Sequence, residues 1–329
     1  MQSARALALL GPGLDGQLAI ELVRRQGCEV IAATLATPFT AYHQAVISSA
    51  ERLGVELIIF DAGPGYFERI AHPRFGYTRE MAPCLDCKVA MLTAARDKLA
   101  ELGASFLITG DVVGQRMPGQ SKRDLALVDF HARVEGKVLR PLSGQLLEPT
   151  WAEVEGCVLR AALLDIHGRS RQRQLALAQG WQWSNIPPVT SGCLLADAAY
   201  ARKLRHALQR GKLEVELLPL LPIGRHFPLD EQGLAILGRN AEENARLHDW
   251  HVRHDRETTL VEPLSFAGPT ALVLGEPHEQ ELRTVEQLLL HYARRREGDE
   301  AHDVRHCHAG KSSSQPVRHK PDFQLPAPL

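Results

Sequence analysis

Short apolar runs separated by amphipathic stretches set the rhythm of the first two hundred residues. "ALALL" (6–10), "EVIAATL" (29–35), "VELIIFD" (55–61) and "SFLITG" (105–110) have the length and apolar density of buried strands. Between them, 15–26, 41–53, 64–71 and 87–102 carry apolar residues at helical spacing. Strand and helix in alternation predict an α/β fold built on a doubly wound, mostly parallel sheet. Residues 112–150 read as loop-rich, and 168–180 and 196–210 as helices that each carry several arginines. The prolines of "LLPLLPIG" (217–224) mark a boundary region, and a smaller α+β unit follows with helices at 240–252 and 277–295. Residues 297–329 are polar, Pro/Ser-rich and without an apolar face, which predicts a disordered C-terminal tail. The expected domains are therefore 1–212, 213–296 and 297–329.

Composition narrows the class. A chain of 329 residues, 44% hydrophobic and 23% charged, has material for about two globular cores. No apolar run reaches membrane-spanning length, and the first ten residues lack a basic start and long apolar segment. The expectation is a cytoplasmic protein with no membrane partner. Six cysteines, two of them in the spacing Cys84-Leu85-Asp86-Cys87, point to thiol or metal chemistry rather than a disulfide framework. A net charge of −1 says little about partners, so local charge is read separately.

Candidate chemistry begins at "GPGLDG" (11–16). A strand, a glycine-rich turn and a helix start form a phosphate-binding geometry, in which backbone N–H groups face an anion. Pro12 has no N–H to contribute. Read alone, a Gly-Pro-Gly turn after a strand is more often punctuation than a phosphate site. Downstream, "TGDVVGQR" (109–116) sets Gly110, Asp111, Gln115 and Arg116 at a strand end, where a carboxylate can orient Mg²⁺ or a nucleotide and an arginine can meet phosphate. The plainer alternative is a helix cap at Asp111. Cys84 and Cys87 at a helix start, with Cys193 far along the chain, form either an incomplete metal set or a redox pair with an unrelated buried cysteine. A zinc site ranks lower, because no second CxxC or HxxxH appears in the α/β part. "GRSRQRQ" brings Arg169, Arg171 and Arg173; "ARKLRHALQRGK" brings Arg202, Lys203, Arg205, Arg210 and Lys212. Such runs are either solvated helix faces or a phosphate-backbone footprint, and with little aromatic interleaving the nucleic acid expected is structured RNA. The histidines and Cys307 of "HDVRHCHAG" (302–310) are assigned no role.

The loop resembles the pyrophosphate loop of the adenine-nucleotide alpha hydrolases that adenylate tRNA bases before sulfur insertion. It departs from that pattern at three places: glycine for serine at Gly11, proline for glycine at Pro12, and glycine for serine at Gly16. "APCLDCKVAMLTAA", "GASFLITGDVVGQRMPGQ", "LRPLSGQLLEPT", "LLDIHGRSRQRQLALA" and "SGCLLAD" resemble, in order and spacing, proteins of the tRNA thiouridine synthetase or 2-thiouridylate type across about residues 5–210. "IGRHFPLDEQGLAILGRNAEENARLHDW" with "AGPTALVLG" is similar to the small RNA-binding domain of the NFACT family, with Arg225, His226, Arg239 and Asn240 expected on its binding face.

The resemblance implies a Rossmann-like pyrophosphate-loop fold and ATP with Mg²⁺ held by Gly11, Gly13, Asp15, Gly110, Asp111, Gln115 and Arg116. It implies adenylation of a tRNA uridine, assisted by Asp15, and sulfur insertion at Cys87 and Cys193. Cys84, Cys87 and Cys193 would carry a 4Fe-4S iron–sulfur cluster, or pass a persulfide without one. Arg169, Arg171, Arg173, Arg202, Lys203 and Arg205 would hold tRNA. A sulfur donor protein or sulfide is implied as a second partner, and the oligomeric state stays open, with a homodimer as one option. Two alternatives stay open: a tRNA-binding homologue that has lost ATP chemistry, and a cysteine-based sulfur carrier or redox protein.

Overall fold

A computed structural model describes residues 4–39, 43–62, 65–187, 193–209, 215–229, 233–293 and 301–329. The chain divides into two units, Met1–Ala201 and Arg202–Leu329. The division falls inside a helix, earlier than the expected 212/213 boundary; residues 210–214, with Arg210 and Lys212, lie outside the described residues. Side-chain chemistry explains the early break. The Lys203 ammonium is buried and donates to the carbonyls of Leu221 and Gly224, so the helix passes to the second unit from that point.

The first unit runs β1 (Arg5–Leu9), α1 (Leu14–Arg24), β2 (Glu29–Ala36), α2 (His43–Leu53), β3 (Leu57–Asp61), α3 (Gly65–Ala71), α4 (Cys84–Lys98), β4 (Phe106–Ile108), α5 (Lys122–Ala132), β5 (Val138–Leu139), α6 (Trp151–Val154) and α7 (Gln172–Gly180), and ends within α8 (Ala198–Gln209), whose residues from Arg202 on belong to the second unit. Its five strands are all parallel, in the order β3-β2-β1-β4-β5. β1 is central, and its Ala6, Leu7 and Ala8 are fully enclosed, as a strand covered on both faces requires. Leu14, Leu18 and Val23 of α1 pack on that sheet with Phe106 and Ile108 of β4. Strand order reverses between β1 and β4, the place where an open α/β sheet leaves a crevice for ligands. "GPGLDG" and "TGDVVGQR" both open onto it.

Residues 112–150 are not all loop. Ser121 caps α5 in a capping box with Asp124, and this Ser-x-x-Asp signature before an apolar run was legible in the sequence.

Gly110 shows how tightly the two loops meet. A Cβ placed there would lie within 2.6 Å of Asp15 C and Gly16 Cα, so backbone occupies the space any side chain needs. Gly110→Ala is expected to cost about 3 kcal/mol, the upper end of overpacking penalties, because backbone rather than a flexible side chain must give way. Urea unfolding of the two proteins would measure it, and a difference under about 0.5 kcal/mol would contradict the close approach.

The second unit runs β6 (Arg225–Pro228), β7 (Leu234–Leu237), α9 (Ala241–Arg253), β8 (Thr258–Pro263), β9 (Ala271–Leu274), α10 (Glu279–His291), β10 (His302–His308) and β11 (Lys311–Val317). Its sheet is antiparallel, ordered β11-β10-β8-β9-β7-β6. The expected disordered tail is thus corrected: 302–317 is a hairpin that extends this sheet. Ala309 and Gly310, at φ 48° and 73°, make a two-residue turn between His308 and Lys311 with the left-handed backbone that tight hairpins use. β11 escapes a hydrophobicity reading because only Val317 is buried along it; pairing with β10 holds an otherwise solvent-facing edge strand. Val304 of β10 is buried, and His306 meets Glu286 of α10 at 3.1 Å.

Candidate functional site

The turn after β1 is held from beneath by a residue the motif reading did not include. Gln17 is fully buried; its Nε2 donates to Ser49 Oγ at 2.9 Å and lies 3.4 Å from the carbonyl oxygens of both Pro12 and Gly13. Arg52 donates to Gln17 Oε1 at 2.5 Å. The turn is therefore fastened to α2 through its carbonyls. Its other side is open: a Cβ at Gly11 or Gly13 would meet nothing within 4 Å. Gly13 is the N-cap of α1 and no side chain caps that helix, so the positive end of the helix faces the open side.

Asp15, in the first turn of α1, is where the crevice gathers polar groups. Its Oδ2 accepts from Gln115 Nε2 at 2.6 Å and sits 3.4 Å from Arg171 Nη2. Gln174 Nε2 in turn donates to Gln115 Oε1 at 2.9 Å. Three atoms of this cluster, Asp15 Oδ1, Arg171 Nη1 and Gln174 Oε1, are buried with no hydrogen-bond partner. Buried donors and acceptors left unpaired cost about 1–3 kcal/mol each. Their concentration here fits a site completed by a polyphosphate and its divalent cation, which supply the opposite partners.

The basic run of 168–174 is split by helical phase. Arg171 and Gln174 lie one turn apart, with buried Ala178 a further turn on, and α7 packs against α1. Arg169 and Arg173 face solvent, the latter paired with Asp165 at 2.6 Å. Arg171 thus turns inward to Asp15, apart from the solvent-facing Arg169 and Arg173. Of the α8 set, Arg202 and Arg205 are exposed, but Lys203 is buried on backbone carbonyls, which corrects its expected place in an RNA footprint.

Asp111 is occupied by the protein itself. Its carboxylate accepts from Lys88 Nζ at 2.6 Å, Gln120 Nε2 at 2.8 Å and Thr109 Oγ1 at 3.0 Å, with Arg140 Nε at 3.8 Å. Burial alone would push this carboxyl up; the Lys88 and Arg140 charges and the hydrogen bonds outweigh it and hold it well below the usual carboxylate range. Arg140 is itself buried and makes a two-pronged pair with Asp129, at 2.8 and 2.6 Å. Asp111 therefore fixes α4 to the loop after β4, and Lys88, which sequence reasoning passed over, is the other half of that lock.

Lys88 directly follows Cys87 and lies one turn beyond Cys84; the two cysteines form the first turn of α4. Asp86 between them is structural: its two oxygens accept from the backbone N–H of Arg74 and Phe75, at 3.0 and 3.1 Å. Cys193 arrives at the same sheet edge through two backbone hydrogen bonds, Leu194 N–H to Phe39 just beyond β2, and Met81 N–H to Leu195. Tyr66, also absent from the sequence reading, places its hydroxyl 3.2 Å from Cys87 Sγ. The three thiols influence one another electrostatically. Burial pushes the Cys87 thiol up to about 12, against the Tyr66 hydrogen bond, and Cys84, Cys193 and Asp86 add to the rise. Burial raises Cys193 as well, while the Arg116 charge works in the opposite direction.

The donor set does not fit the implied iron–sulfur cluster in this arrangement. Among the described residues no group of three or more His, Cys, Asp or Glu side chains is placed to hold a metal ion, and Cys87 is instead engaged by Tyr66. No described helix is long and apolar enough to cross a membrane.

On the expected RNA face of the second unit, His226 is a core residue: its Nε2 lies 3.0 and 3.2 Å from the carbonyl oxygens of Ile223 and Leu220, and burial lowers its pKa to about 3. It belongs to the fold, which corrects the expectation. Asn240 caps α9 by accepting from Glu243 N–H at 2.9 Å, and Arg239 pairs with Glu243. Arg225 lies over the Tyr292 ring at 4.8 Å.

Residues 224–323 match the family model described as NFACT protein RNA binding domain. No curated protein matches the chain. Among solved structures, a 4-thiouridine synthetase bound to RNA and ATP is 18% identical, with 66% of this chain and 52% of that one covered, at a TM-score of 0.37. A predicted subunit of tRNA methyltransferase from Methanocaldococcus jannaschii is 15% identical, covering 42% of this chain and 67% of that one, at 0.33. The C-terminal part of the fibronectin/fibrinogen-binding protein from Streptococcus suis is 12% identical, covering 46% and 75%, at 0.24. The chain thus spans about half the length of the 4-thiouridine synthetase.

Proposed function

We propose, for a chain whose residues 224–323 match the NFACT RNA-binding domain model, that the protein is a cytoplasmic, ATP-dependent tRNA thiolation enzyme. The reading rests on one observation: the unpartnered polar atoms around Asp15 lie in the β1/β4 crevice, on the same sheet edge that receives Cys84, Cys87 and Cys193.

In this scheme ATP lies with its phosphates on the open side of the Gly11–Gly13 turn. Asp15 orients the divalent cation, and Gln115 holds Asp15 in place. The carbonyl oxygen of a uridine attacks the α-phosphorus and pyrophosphate leaves, which makes that oxygen part of a good leaving group, AMP. The terminal sulfur of a persulfide on Cys193, loaded by a sulfur donor, attacks the ring carbon and AMP departs. Cys87 then attacks Cys193 Sγ, which releases the thiouridine and leaves a Cys87–Cys193 disulfide for a dithiol reductant to reopen. The RNA-binding unit and exposed Arg202 and Arg205 provide the salt-sensitive hold on tRNA.

The test is equilibrium binding of Mg²⁺-ATP to the full chain and to the combined variant Gly11→Ser, Pro12→Gly, Gly16→Ser. The added atoms have room: a Cβ at Gly11 meets nothing, and one at Gly16 meets its nearest neighbours at 3.7 Å. Each regained charge-assisted hydrogen bond is worth about 1.5–3 kcal/mol, so affinity should rise at least tenfold. ATP-dependent AMP release with a tRNA substrate completes the case. No binding at millimolar ATP by either protein, with salt-sensitive tRNA retention intact, would instead favour the RNA-binding homologue without ATP chemistry, for which the three altered loop positions are the specific argument.

A further inference from the structure

The geometry points to Arg171 as the residue that takes the nucleotide's polyphosphate, in place of donors the turn itself lacks. This rests on the reading of the β1/β4 crevice as a nucleotide site and names its principal anion-binding group.

The turn offers no side-chain hydroxyl at Gly11 or Gly16 and no backbone N–H at Pro12. A polyphosphate of three to four charges needs replacements, and they must come from another element. Arg171 arrives at the N-terminus of α7 with a side chain 13% exposed. Its one ion pair is loose, 3.4 Å to Asp15 Oδ2, and that oxygen already accepts a 2.6 Å hydrogen bond from Gln115. Nη1 has no partner. A guanidinium offers five N–H donors in a rigid fork suited to phosphate, and this one is left mostly unused in an enclosed place. Arg140, more enclosed still at 4% exposed, also leaves one nitrogen, Nε, without a hydrogen-bond partner, but both its Nη atoms are taken by the Asp129 carboxylate, whereas Arg171 has only its loose ion pair. Arg171 stands beside Asp15, in the first turn of the helix that follows the loop, with Nη1 unpartnered.

The neighbours restrict what binds. Asp15, with Oδ1 unpartnered, repels a bare anion and accepts a cation. Arg171 with Asp15 therefore selects a metal-bound polyphosphate over inorganic phosphate or a carboxylate. Gln174, fully buried with Oε1 unpartnered, provides an acceptor for a water of the metal shell.

The experiment is calorimetric titration of the full-length protein, wild type and Arg171→Gln, with Mg²⁺-ATP, Mg²⁺-pyrophosphate and AMP, and Arg173→Gln as the control from the same basic run. Arg171→Gln should weaken ATP and pyrophosphate about 10- to 100-fold, the loss of a charged donor pair, and leave AMP within about threefold. Arg173→Gln should change nothing. Arg171→Lys, which keeps the charge and loses the fork, should fall between, and guards against a folding defect in the glutamine variant, as do matched thermal midpoints. Equal ATP and pyrophosphate binding by wild type and Arg171→Gln overturns the assignment and leaves the nucleotide site standing. Failure of wild type to bind either ligand overturns both.

Discussion

Replacing Lys88 with methionine is expected to destabilise the protein by about 3–5 kcal/mol, the range for breaking a buried pair from one side. The side chains of Lys88 and Asp111 are 19% and 13% exposed, so solvent screens little of the interaction. Methionine fills the same volume without the charge. Asp111 then keeps Gln120 and Thr109 but only a distant Arg140, whose guanidinium is already committed to Asp129. The pH dependence has a definite sign. A carboxyl held below its unfolded value binds its proton more weakly in the folded state, so its stabilisation is complete above the unfolded pKa of about 3.9 and is lost as pH falls toward the lower folded value. Denaturant unfolding should show the wild-type advantage over Asp111→Asn flat above about pH 5 and shrinking below about pH 4. An advantage that instead grew on acidification would mean Asp111 is protonated in the folded protein at neutral pH, and the lock misread. Because Lys88 directly follows Cys87 and lies one turn after Cys84, Lys88→Met should also loosen the placement of the cysteine turn.

Four strands of the parallel sheet were legible because each is a short apolar run and the helices between them have a periodic face; α1, α2 and α3 fall within two residues of their expected limits at both ends, while the two-residue β5 is too short to stand out and lies in 112–150, which reads as loop-rich. What escaped has physical causes. β11 hides because an edge strand can be polar along nearly its whole length when its partner supplies the hydrogen bonds. Lys203 and His226 misled because residue type was taken as exposure, yet both cap buried carbonyls. Arg171 was grouped with Arg169 and Arg173 by charge, where the helical phase 171, 174, 178 would have separated it. Asp15, Gln115, Cys84, Cys87 and Cys193 were readable as motifs, but the partners that define them, Gln17, Gln174, Lys88 and Tyr66, come from contacts far apart in sequence that no spacing rule encodes.

The thiol chemistry carries the second large expectation. With Cys87 pushed up to about 12, chiefly by burial, its thiolate fraction at pH 8 is about 10⁻⁴, against about a quarter for an unperturbed cysteine. Iodoacetamide should therefore alkylate Cys87 on the order of 10³-fold more slowly than a free thiol at pH 8, with the rate climbing about tenfold per pH unit through pH 10. Tyr66→Phe should slow it further, since the lost hydroxyl is the donor that favours the thiolate. Peptide mapping of the alkylated protein, cysteine by cysteine, reads both effects. The consequence reaches the proposed reaction: Cys87 must act as a nucleophile to resolve the persulfide on Cys193, and in the resting protein it is the wrong protonation state for that task. Resolution then waits on a change at the pocket, such as removal of the Cys193 charge, which raises Cys87, once Cys193 Sγ is bonded in the neutral mixed disulfide, or the entry of a cation with the nucleotide. A rate profile with its midpoint near pH 8.5 would remove the need for any such step and leave a thiolate ready beside Cys193 from the outset.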